Sequence, residues 1–265
     1  MKKHTLYRYY QFGFNYFRLL WNSSEISNKE FYKRLEEYFS FADELNLYVT
    51  KGGIDLNKLD LLYEKVKKLS EDPETANKTI DGELYKKLEV ALKKVDNILD
   101  AELSIKIGFI LDEKRFSNEI LTSKIDKLFA EDIYSKLPLI AQGDFKEAGL
   151  CLAFDRYTAV AFHALRGTEE VLKFYYEKLL NKNHGKSATW GTYLTAINKK
   201  INSKSISPTP SPELMMNLDN LRQYHRNKTQ HPIRTYSCDE VQDLMGACTK
   251  TINEIFDDLS KRNLL

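Results

Sequence analysis

Apolar residues recur at three- and four-residue spacing over long windows of this chain, and glycine and proline are scarce. That spacing is the period of an α-helix, so the pattern predicts an all-α protein. The plainest stripe follows the capping carboxylate of Asp81 and consists of Leu84, Leu88, Leu92, Val95 and Leu99. Similar patterns predict helices over 28–47 and 56–69, with Gly52-Gly53 and residues 70–73 interpreted as breaks between helices. The segment 7–21 is rich in Tyr and Phe and is interpreted as a helix, with a short strand as the alternative.

The second half of the chain has the pattern of a bundle of four or five helices. We predict these helices over 145–154, 157–180, 188–201, 214–225 and 238–261. Residues 205–212 hold three of the six prolines, which predicts a turn or a linker that is not helical throughout. The stretch from Leu137 to Asp144 is interpreted as a boundary. We therefore predict a helical N-terminal domain over 1–138 and a helical bundle over 139–265.

Composition narrows the class of protein. Basic residues number 40 and acidic residues 38, so the net charge is +2 and nucleic-acid binding would need a local basic patch. No stretch is apolar for the length of a membrane span, and the N-terminus has no signal-peptide pattern. Cys151, Cys238 and Cys248 are odd in number and lack zinc spacing. We expect reduced, buried thiols in a cytoplasmic protein, with neither a metal nor a cofactor.

The segment from Arg226 to His231 carries the candidate chemistry. Arg226 is always cationic, and its planar fork of donors matches a phosphate. His231 can give or take a proton near neutral pH. Pro232 keeps His231 out of the helical region, so we expect the histidine to turn back towards the preceding helix. Asn227 adds a polar side chain next to the arginine.

A second polar group lies on the predicted long helix, where most other residues are apolar. His163, Arg166 and Glu169 fall within about two-thirds of a helical turn. Burying them unpaired would be costly, so we expect them to face a polar groove or a partner. In an antiparallel bundle they would join the Arg226 segment in one pocket. Arg166 and Arg226 would then bind phosphate, and Glu169 would orient an arginine or a histidine.

The segment Leu221-Arg222-x-x-x-Arg226-Asn227-x-x-x-His231-Pro232 resembles the Arg-polar-x-x-x-His signature of the HEPN superfamily. Its surroundings are similar as well. A long helix with Ala164-Leu165-Arg166-x-x-Glu169 precedes it, and Tyr236-Ser237-x-x-Glu240 opens a final helix. Residues 144–163 also resemble a group of bacterial proteins that carry this domain. The resemblance covers about 140–262 and implies a HEPN-like bundle there, but it does not extend into 1–135.

The resemblance implies a metal-independent endoribonuclease. Two protomers would meet through the C-terminal bundle, so that a homodimer forms one composite cleft for RNA. His231 would assist attack of the ribose 2′-hydroxyl or protonate the leaving 5′-oxygen. Arg226 would stabilise charge on the phosphorane, and Asn227 would hold the loop or donate to the phosphate. Many relatives are toxins or antiphage-defence effectors, so the resemblance also implies an antitoxin or a defence-system protein as a partner.

Each of these residues also has a purely structural interpretation. Arg226 and His231 would also serve as cations near a helix C-terminus, and the group around Arg166 would also form an ordinary salt-bridge network. Arg222 would either bind the RNA backbone or pair with Asp219, while Lys228 would support RNA binding.

Two further histidines are assigned no catalytic role. We expect His225 to be exposed to solvent. The Gly-Lys-Ser sequence after His184 lacks the upstream glycine and the strand of a phosphate-binding loop.

Two other functions remain open at this stage. The bundle would act as a non-catalytic module for dimerisation or RNA binding, in which case His231 would be dispensable. Alternatively, it would be an antitoxin-like partner of a nucleotidyltransferase, as some HEPN relatives are. The helices of 1–138 carry no catalytic constellation, so a sensor, a scaffold or a dimerisation element would all fit them.

Overall fold

Helices dominate the computed structural model, which describes residues 5–21, 26–183, 188–230 and 234–265. The all-α prediction is confirmed, because every regular element in these ranges is a helix. The β-type pairing described there is a single isolated bridge between Ser27 and Thr79. None of the helices in the described ranges combines the length and the apolar character that a membrane crossing requires. The chain divides into two compact units, residues 1–108 and 109–265.

The N-terminal unit contains five helices, which are α1 (Leu6–Trp21), α2 (Asn28–Glu44), α3 (Tyr48–Leu56), α4 (Leu59–Glu71) and α5 (Gly82–Ser104). The predicted helices over 7–21 and 84–99 are confirmed. Asp81 caps α5 as expected, because its carboxylate accepts from the backbone N–H groups of Glu83 and Leu84. All five helices contribute apolar side chains to one core.

The interpretation of Gly52-Gly53 as a helix break was wrong, because both glycines lie inside α3. A Cβ atom at Gly53 would lie 2.6 Å from Ile98 Cδ1, so this glycine permits close packing of α3 on α5. The break instead falls at Lys58, whose φ of 57° ends one helix and precedes α4. The predicted helices over 28–47 and 56–69 therefore shift to the bounds of α2 and α4.

The C-terminal unit begins with short elements and continues with longer helices. In chain order these are α6 (Asn118–Ser123), a 3-10 turn (Ile125–Leu128), α7 (Ile133–Lys136), α8 (Leu139–Ala153), α9 (Tyr157–Leu180), α10 (Trp190–Asn202), α11 (Pro212–Asn220), a π-helical segment (Leu221–Arg226), α12 (Asn227–Gln230) and α13 (Cys238–Lys261). The predicted bounds of α9 and α13 are confirmed. Ser237 and Glu240 form a capping box that starts α13.

The predicted domain boundary at 138/139 was misplaced, because the chain divides into its two compact units between Gly108 and Phe109. Leu121, Ile125 and Leu137 are buried in the core of the C-terminal unit, so the segment before Pro138 belongs to that unit. The interpretation of 137–144 as a boundary was also wrong. Pro138 immediately precedes the first turn of α8, a position that proline tolerates, and the helix then runs unbroken past residue 144.

The α8 and α9 helices form the close pair that positions one candidate cluster. A Cβ atom at Gly167 of α9 would lie 3.2 Å from the Cβ of Asp144 and 3.0 Å from the ring of Phe145, both on α8. The missing side chain thus allows the two helices to approach. That approach places the carboxylate of Asp144 within reach of polar side chains on α9.

Candidate functional site

One continuous helical stretch from Pro212 to Gln230 carries four of the eight predicted site residues. Ser211 caps its start by accepting from the N–H of Leu214, and Pro212 occupies the first turn. The predicted helix over 214–225 is confirmed, but its last five residues and their neighbour Arg226 adopt a form that the sequence did not predict. The segment Leu221–Arg226 is π-helical, and the N–H of Asn227 donates to the carbonyl of Arg222, five residues back. Such insertions into α-helices frequently occur at functional sites.

Arg226 at the end of the π-helical segment contacts Glu169 of α9. Its Nη2 lies 3.2 Å from Oε1 and 3.3 Å from Oε2 of the carboxylate, and its Nε lies 3.4 Å from Oε2. Both side chains are about one-fifth exposed, at 21% for the arginine and 20% for the glutamate. Glu169 Oε1 also accepts the backbone N–H of Trp190 at 2.9 Å, which ties the start of α10 to the same carboxylate. Glu169 therefore holds the guanidinium of Arg226; from the sequence we expect it to orient an arginine or a histidine.

Arg222 lies within the π-helical segment, one turn before Arg226. Its Nε and Nη2 donate to Asp219 Oδ1 at 3.0 and 2.8 Å, so the alternative of pairing with Asp219 is the arrangement that the structure contains. The side chain of Arg222 also runs beside Gly191 near the start of α10. We call Asp219, Arg222, Arg226, Glu169 and the backbone of Trp190 the Arg226 cluster.

Arg166 and His163 of α9 meet a different carboxylate. The Nε of Arg166 donates to Asp144 Oδ2 at 2.8 Å and to Oδ1 at 3.0 Å, and His163 Nδ1 lies 2.9 Å from Oδ1. The Asp144 side chain is fully buried, whereas that of Arg166 is 51% exposed. The hydrogen bonds that Arg166 donates to Asp144 raise the pKa of Arg166, against the opposing effect of burial. The guanidinium also lies 5.7 Å from the ring centroid of Phe162. We call Asp144, Phe162, His163 and Arg166 the Arg166 cluster.

The prediction of one pocket formed by Arg166, Glu169 and Arg226 therefore needs correction. Arg166 pairs with Asp144 on α8, and Arg226 pairs with Glu169 on α9, so the two arginines are held by separate carboxylates. The sequence pattern could not reveal this division, because Asp144 was interpreted as part of a boundary instead of as a buried helical residue. With Asp144, His163 and Arg166 thus form an ordinary salt-bridge network, which was the structural alternative for these residues.

His225 is half-buried, and the expectation that it would be exposed was wrong. Its ring stacks on that of Tyr236, with the ring centroids 6.4 Å apart, and its buried Nδ1 has no hydrogen-bond partner among the described residues. Burial lowers the pKa of His225, and the nearby cations Arg234 and Lys228 lower it further. His225 is therefore a neutral ring near physiological pH, packed against the element that follows the motif.

Sequence reasoning missed Tyr224, Arg234 and Tyr236 as members of the site. The guanidinium of Arg234 lies 4.6 Å from the ring centroid of Tyr236 and donates to the carbonyl of Tyr224 and to Glu240, both at 3.1 Å. The hydroxyl groups of Thr229 and Tyr236 lie 2.7 Å apart. These contacts tie both flanks of residues 231–233 to the π-helical segment. The alternation of cations with aromatic residues over 222–236 was the available signal.

Several predicted residues are exposed or lie outside the described ranges. Asn227 and Lys228 are exposed on α12, and Lys228 Nζ lies 5.9 Å from the ring centroid of Tyr224. His231, the predicted proton-transfer residue, lies outside the described residues, as does His184 with the Gly-Lys-Ser sequence that follows it.

The remaining reactive groups are the cysteines and the possible metal ligands. Cys248 is buried, and burial raises its pKa to about 12. Cys151 and Cys238 are only partly buried, so the expectation of three buried thiols was wrong for these two. In the described ranges, no group of three or more His, Cys, Asp or Glu side chains is arranged to hold a metal ion.

Comparisons with known proteins add no assignment. No protein-family model matches the chain, and no curated protein or solved structure matches it significantly.

Proposed function

We propose that this protein is a metal-independent endoribonuclease of the HEPN type, with a composite site formed by two copies of the C-terminal unit. The proposal rests on the sequence motif around Arg226 and His231, together with the environment of the arginine. Its biological setting would be that of a toxin or an antiphage-defence effector in the cytoplasm.

The observation that carries the proposal is the state of Arg226. A catalytic arginine has to be oriented in advance and still be able to reach a phosphate. Glu169 holds the guanidinium through contacts of 3.2–3.4 Å, which are longer than the 2.7–2.9 Å of strong charge-assisted pairs. The arginine is also partly exposed. A phosphate would therefore compete with Glu169 for the same donors.

The charge around Arg226 supports an anionic substrate. Arg222, Lys228 and Arg234 lie on the same stretch of chain, and exposed Lys228 has no ion partner among the described residues. Tyr224 is more than half exposed beside Lys228 and offers an aromatic face to an unpaired base. This combination of cations and an exposed ring fits single-stranded RNA better than a double helix.

The reaction would use the ribose of the substrate as the nucleophile. The 2′-oxygen would attack phosphorus as its proton leaves, and the bond to the 5′-oxygen would break as that oxygen gains a proton. His231 would take the first proton or supply the second, and the histidine of the other protomer would complete the pair. Arg226 would stabilise the charge on the phosphorane, with Asn227 as a further donor. The products would be a 2′,3′-cyclic phosphate and a 5′-hydroxyl.

Cleavage of a fluorescent single-stranded RNA by the purified chain in EDTA tests the proposal. We expect cleavage that is lost in Arg226→Ala and in His231→Ala and retained in Arg156→Ala, a matched change at an exposed arginine away from the cluster. Substitution of a 2′-deoxyribonucleotide at the cleaved position should abolish cleavage at that position. Cleavage that requires a divalent ion, or that survives both site variants, would refute the proposed chemistry.

A second candidate function is a non-catalytic RNA-binding or dimerisation module. The observation that favours it is that Glu169 already neutralises Arg226, as it would in a purely structural pair. This alternative requires that His231→Ala leaves RNA affinity and dimerisation unchanged while the unmodified chain cleaves no RNA. A size-exclusion and light-scattering measurement on both forms, with RNA binding followed by fluorescence anisotropy, separates the two functions.

A further inference from the structure

A groove of about 710 Å³ lies in the N-terminal unit, bounded by the C-terminus of α3, the first turns of α4 and one side of α5. It belongs to neither arginine cluster and takes no part in the proposed RNA chemistry. The helices that form it otherwise bury their apolar side chains in the core of this unit. The groove is therefore a feature of the surface and not part of the core.

The lining includes apolar side chains that the core of the unit does not cover. Leu56, Leu61 and Val90 are each more than half exposed, although each lies on a helix that contributes other residues to the core. Single exposed apolar residues are ordinary on protein surfaces, but several that line one concave groove form a contiguous patch. All three are aliphatic, so they offer no flat ring on which a nucleotide base could stack.

Positive charge surrounds this apolar patch. Lys58, Lys65, Lys86 and Lys94 line the groove, are exposed and have no ion partner in the part of the chain that the structure describes. A fifth lysine, Lys87, pairs with Glu83 at 2.6 Å, and Glu83 is the acidic residue of the lining. Five lysines and one glutamate give the lining a charge of +4. The whole chain carries only +2, so the groove is a local concentration of positive charge.

The shape and chemistry of the groove match a helix with one apolar face and acidic flanks. On α5 the lining extends from Glu83 to Lys94, which is roughly 16 Å at the rise of an α-helix. About three turns of a partner helix would cover that length. Its apolar side chains would contact Leu61 and Val90, and its carboxylates would face the four unpaired lysines. Helix-in-groove recognition uses this division of labour between apolar anchors and charged edges.

We propose that the groove between α4 and α5 binds an acidic amphipathic helix of a partner protein. This surface assigns a docking role to a unit in which the sequence contains no catalytic constellation. The proposal is independent of RNA cleavage, so either one can fail without the other. Because the groove is positively charged, the partner segment should be acidic. Because its apolar patch is aliphatic and offers no ring for base stacking, we expect a protein helix instead of a nucleic acid.

Selection from a displayed library of random 16-residue peptides tests the proposal on the full chain. The enriched peptides should carry apolar residues at helical spacing with Glu or Asp beside them. The best of them should bind the chain in a fluorescence anisotropy assay and gain helical circular dichroism on binding. Enrichment of basic or non-periodic peptides, or no enrichment at all, would overturn the proposal.

Two pairs of substitutions decide whether the groove is the site. Lys86→Glu with Lys94→Glu should weaken the selected peptide by at least about 10-fold, since like charges would then face each other. The matched control, Lys29→Glu with Lys78→Glu, makes the same change of charge at exposed lysines outside the lining and should leave binding within about 2-fold. Equal weakening by both pairs would reduce the effect to net charge and overturn the proposal.

The apolar part of the groove is tested separately. Leu61→Ser with Val90→Ser removes two exposed contacts, so the fold should be retained by circular dichroism while peptide affinity falls by at least about 10-fold. The same variants also test the other classes of ligand. If a single-stranded RNA or an anionic phospholipid vesicle binds the unmodified chain more tightly than the peptide does, and the Lys86/Lys94 pair abolishes that binding, the groove has a different ligand and the proposal is wrong.

Discussion

Two arginine–carboxylate pairs share helix α9, and they differ in how their carboxylates are placed. Asp144 is fully buried and accepts from both Arg166 and His163 through contacts of 2.5–3.0 Å. Glu169 is partly exposed and holds Arg226 at 3.2–3.4 Å. A buried carboxylate that loses its partners has no water to replace them. A partly exposed one can give up its arginine to another anion at lower cost.

The two arginines differ in how closely their carboxylates hold them. From the sequence, both arginines are candidates for phosphate binding, Arg226 as a catalytic residue and Arg166 as a supporting one. In the fold, Arg166 of α9 is held against the fully buried Asp144 of α8. This ion pair joins the two helices. Arg226 stands on a π-helical segment beside exposed Lys228 and Tyr224. If the Arg166 cluster is structural and the Arg226 cluster binds RNA, matched substitutions in the two should separate stability from cleavage.

The largest effect is expected for the shape of the guanidinium at Arg226, the proposed catalytic arginine. Arg226→Lys keeps the charge but loses the planar fork, so we expect RNA cleavage to fall by at least about 100-fold. The same change at the other cluster, Arg166→Lys, should leave the rate within about 3-fold, because an exposed lysine can still neutralise Asp144. Initial cleavage rates at saturating RNA measure both. Equal losses in the two variants would erase the distinction between the clusters.

The next effect is on the stability of the fold, where a substitution in the Arg166 cluster should cost more than one in the Arg226 cluster. Asp144→Asn places an amide NH₂ group where the buried carboxylate accepted two partners, so we expect a loss of roughly 2–3 kcal/mol in the free energy of unfolding. Urea unfolding followed by circular dichroism measures this loss. Slower or unchanged hydrogen exchange in the α8 and α9 peptides of the variant would contradict the assignment of Asp144 as the element that joins these helices.

A smaller loss is expected from the corresponding change in the second cluster. Glu169→Gln retains an acceptor for the N–H of Trp190 but releases Arg226, so the unfolding free energy should fall by about 1 kcal/mol. Removing a negative charge beside the arginine should also tighten the binding of a non-cleavable 2′-deoxy substrate by about 3-fold. Anisotropy titration measures the affinity. Weaker binding would mean that Glu169 serves RNA recognition directly instead of competing with it.

The smallest effect is a dependence on pH. Because burial lowers the pKa of His225, the unfolded chain binds more protons than the folded chain just below the ordinary histidine pKa of about 6.5. This contribution to stability is complete above that pH and is lost as the pH falls towards the lowered pKa. His225→Phe keeps a ring on Tyr236 and should therefore lose less stability between about pH 7 and pH 5.5. Parallel pH slopes in thermal melts of the two proteins would contradict this expectation.

Periodicity predicted the helices well where the core is local. The stripe from Leu84 to Leu99 and the bounds of α9 and α13 followed from residues that contact their own helical neighbours and one core. Gly53 and Gly167 could not be understood in this way, since each is explained by a helix that packs on it from elsewhere in the chain. The predicted break at Gly52-Gly53 failed for that reason, and so did the proposed boundary next to Asp144.

The sequence by itself determined the helical class of this protein and the candidate chemistry, because helical period, capping residues and the ionisation of Arg and His are local properties. Tertiary structure alone decided which acid meets which arginine. It placed Asp144 under Arg166 and Glu169 beside Arg226, and it brought the half-buried ring of His225 onto Tyr236. Those pairings depend on distances between helices and on exclusion of water, which residue spacing along one chain does not encode.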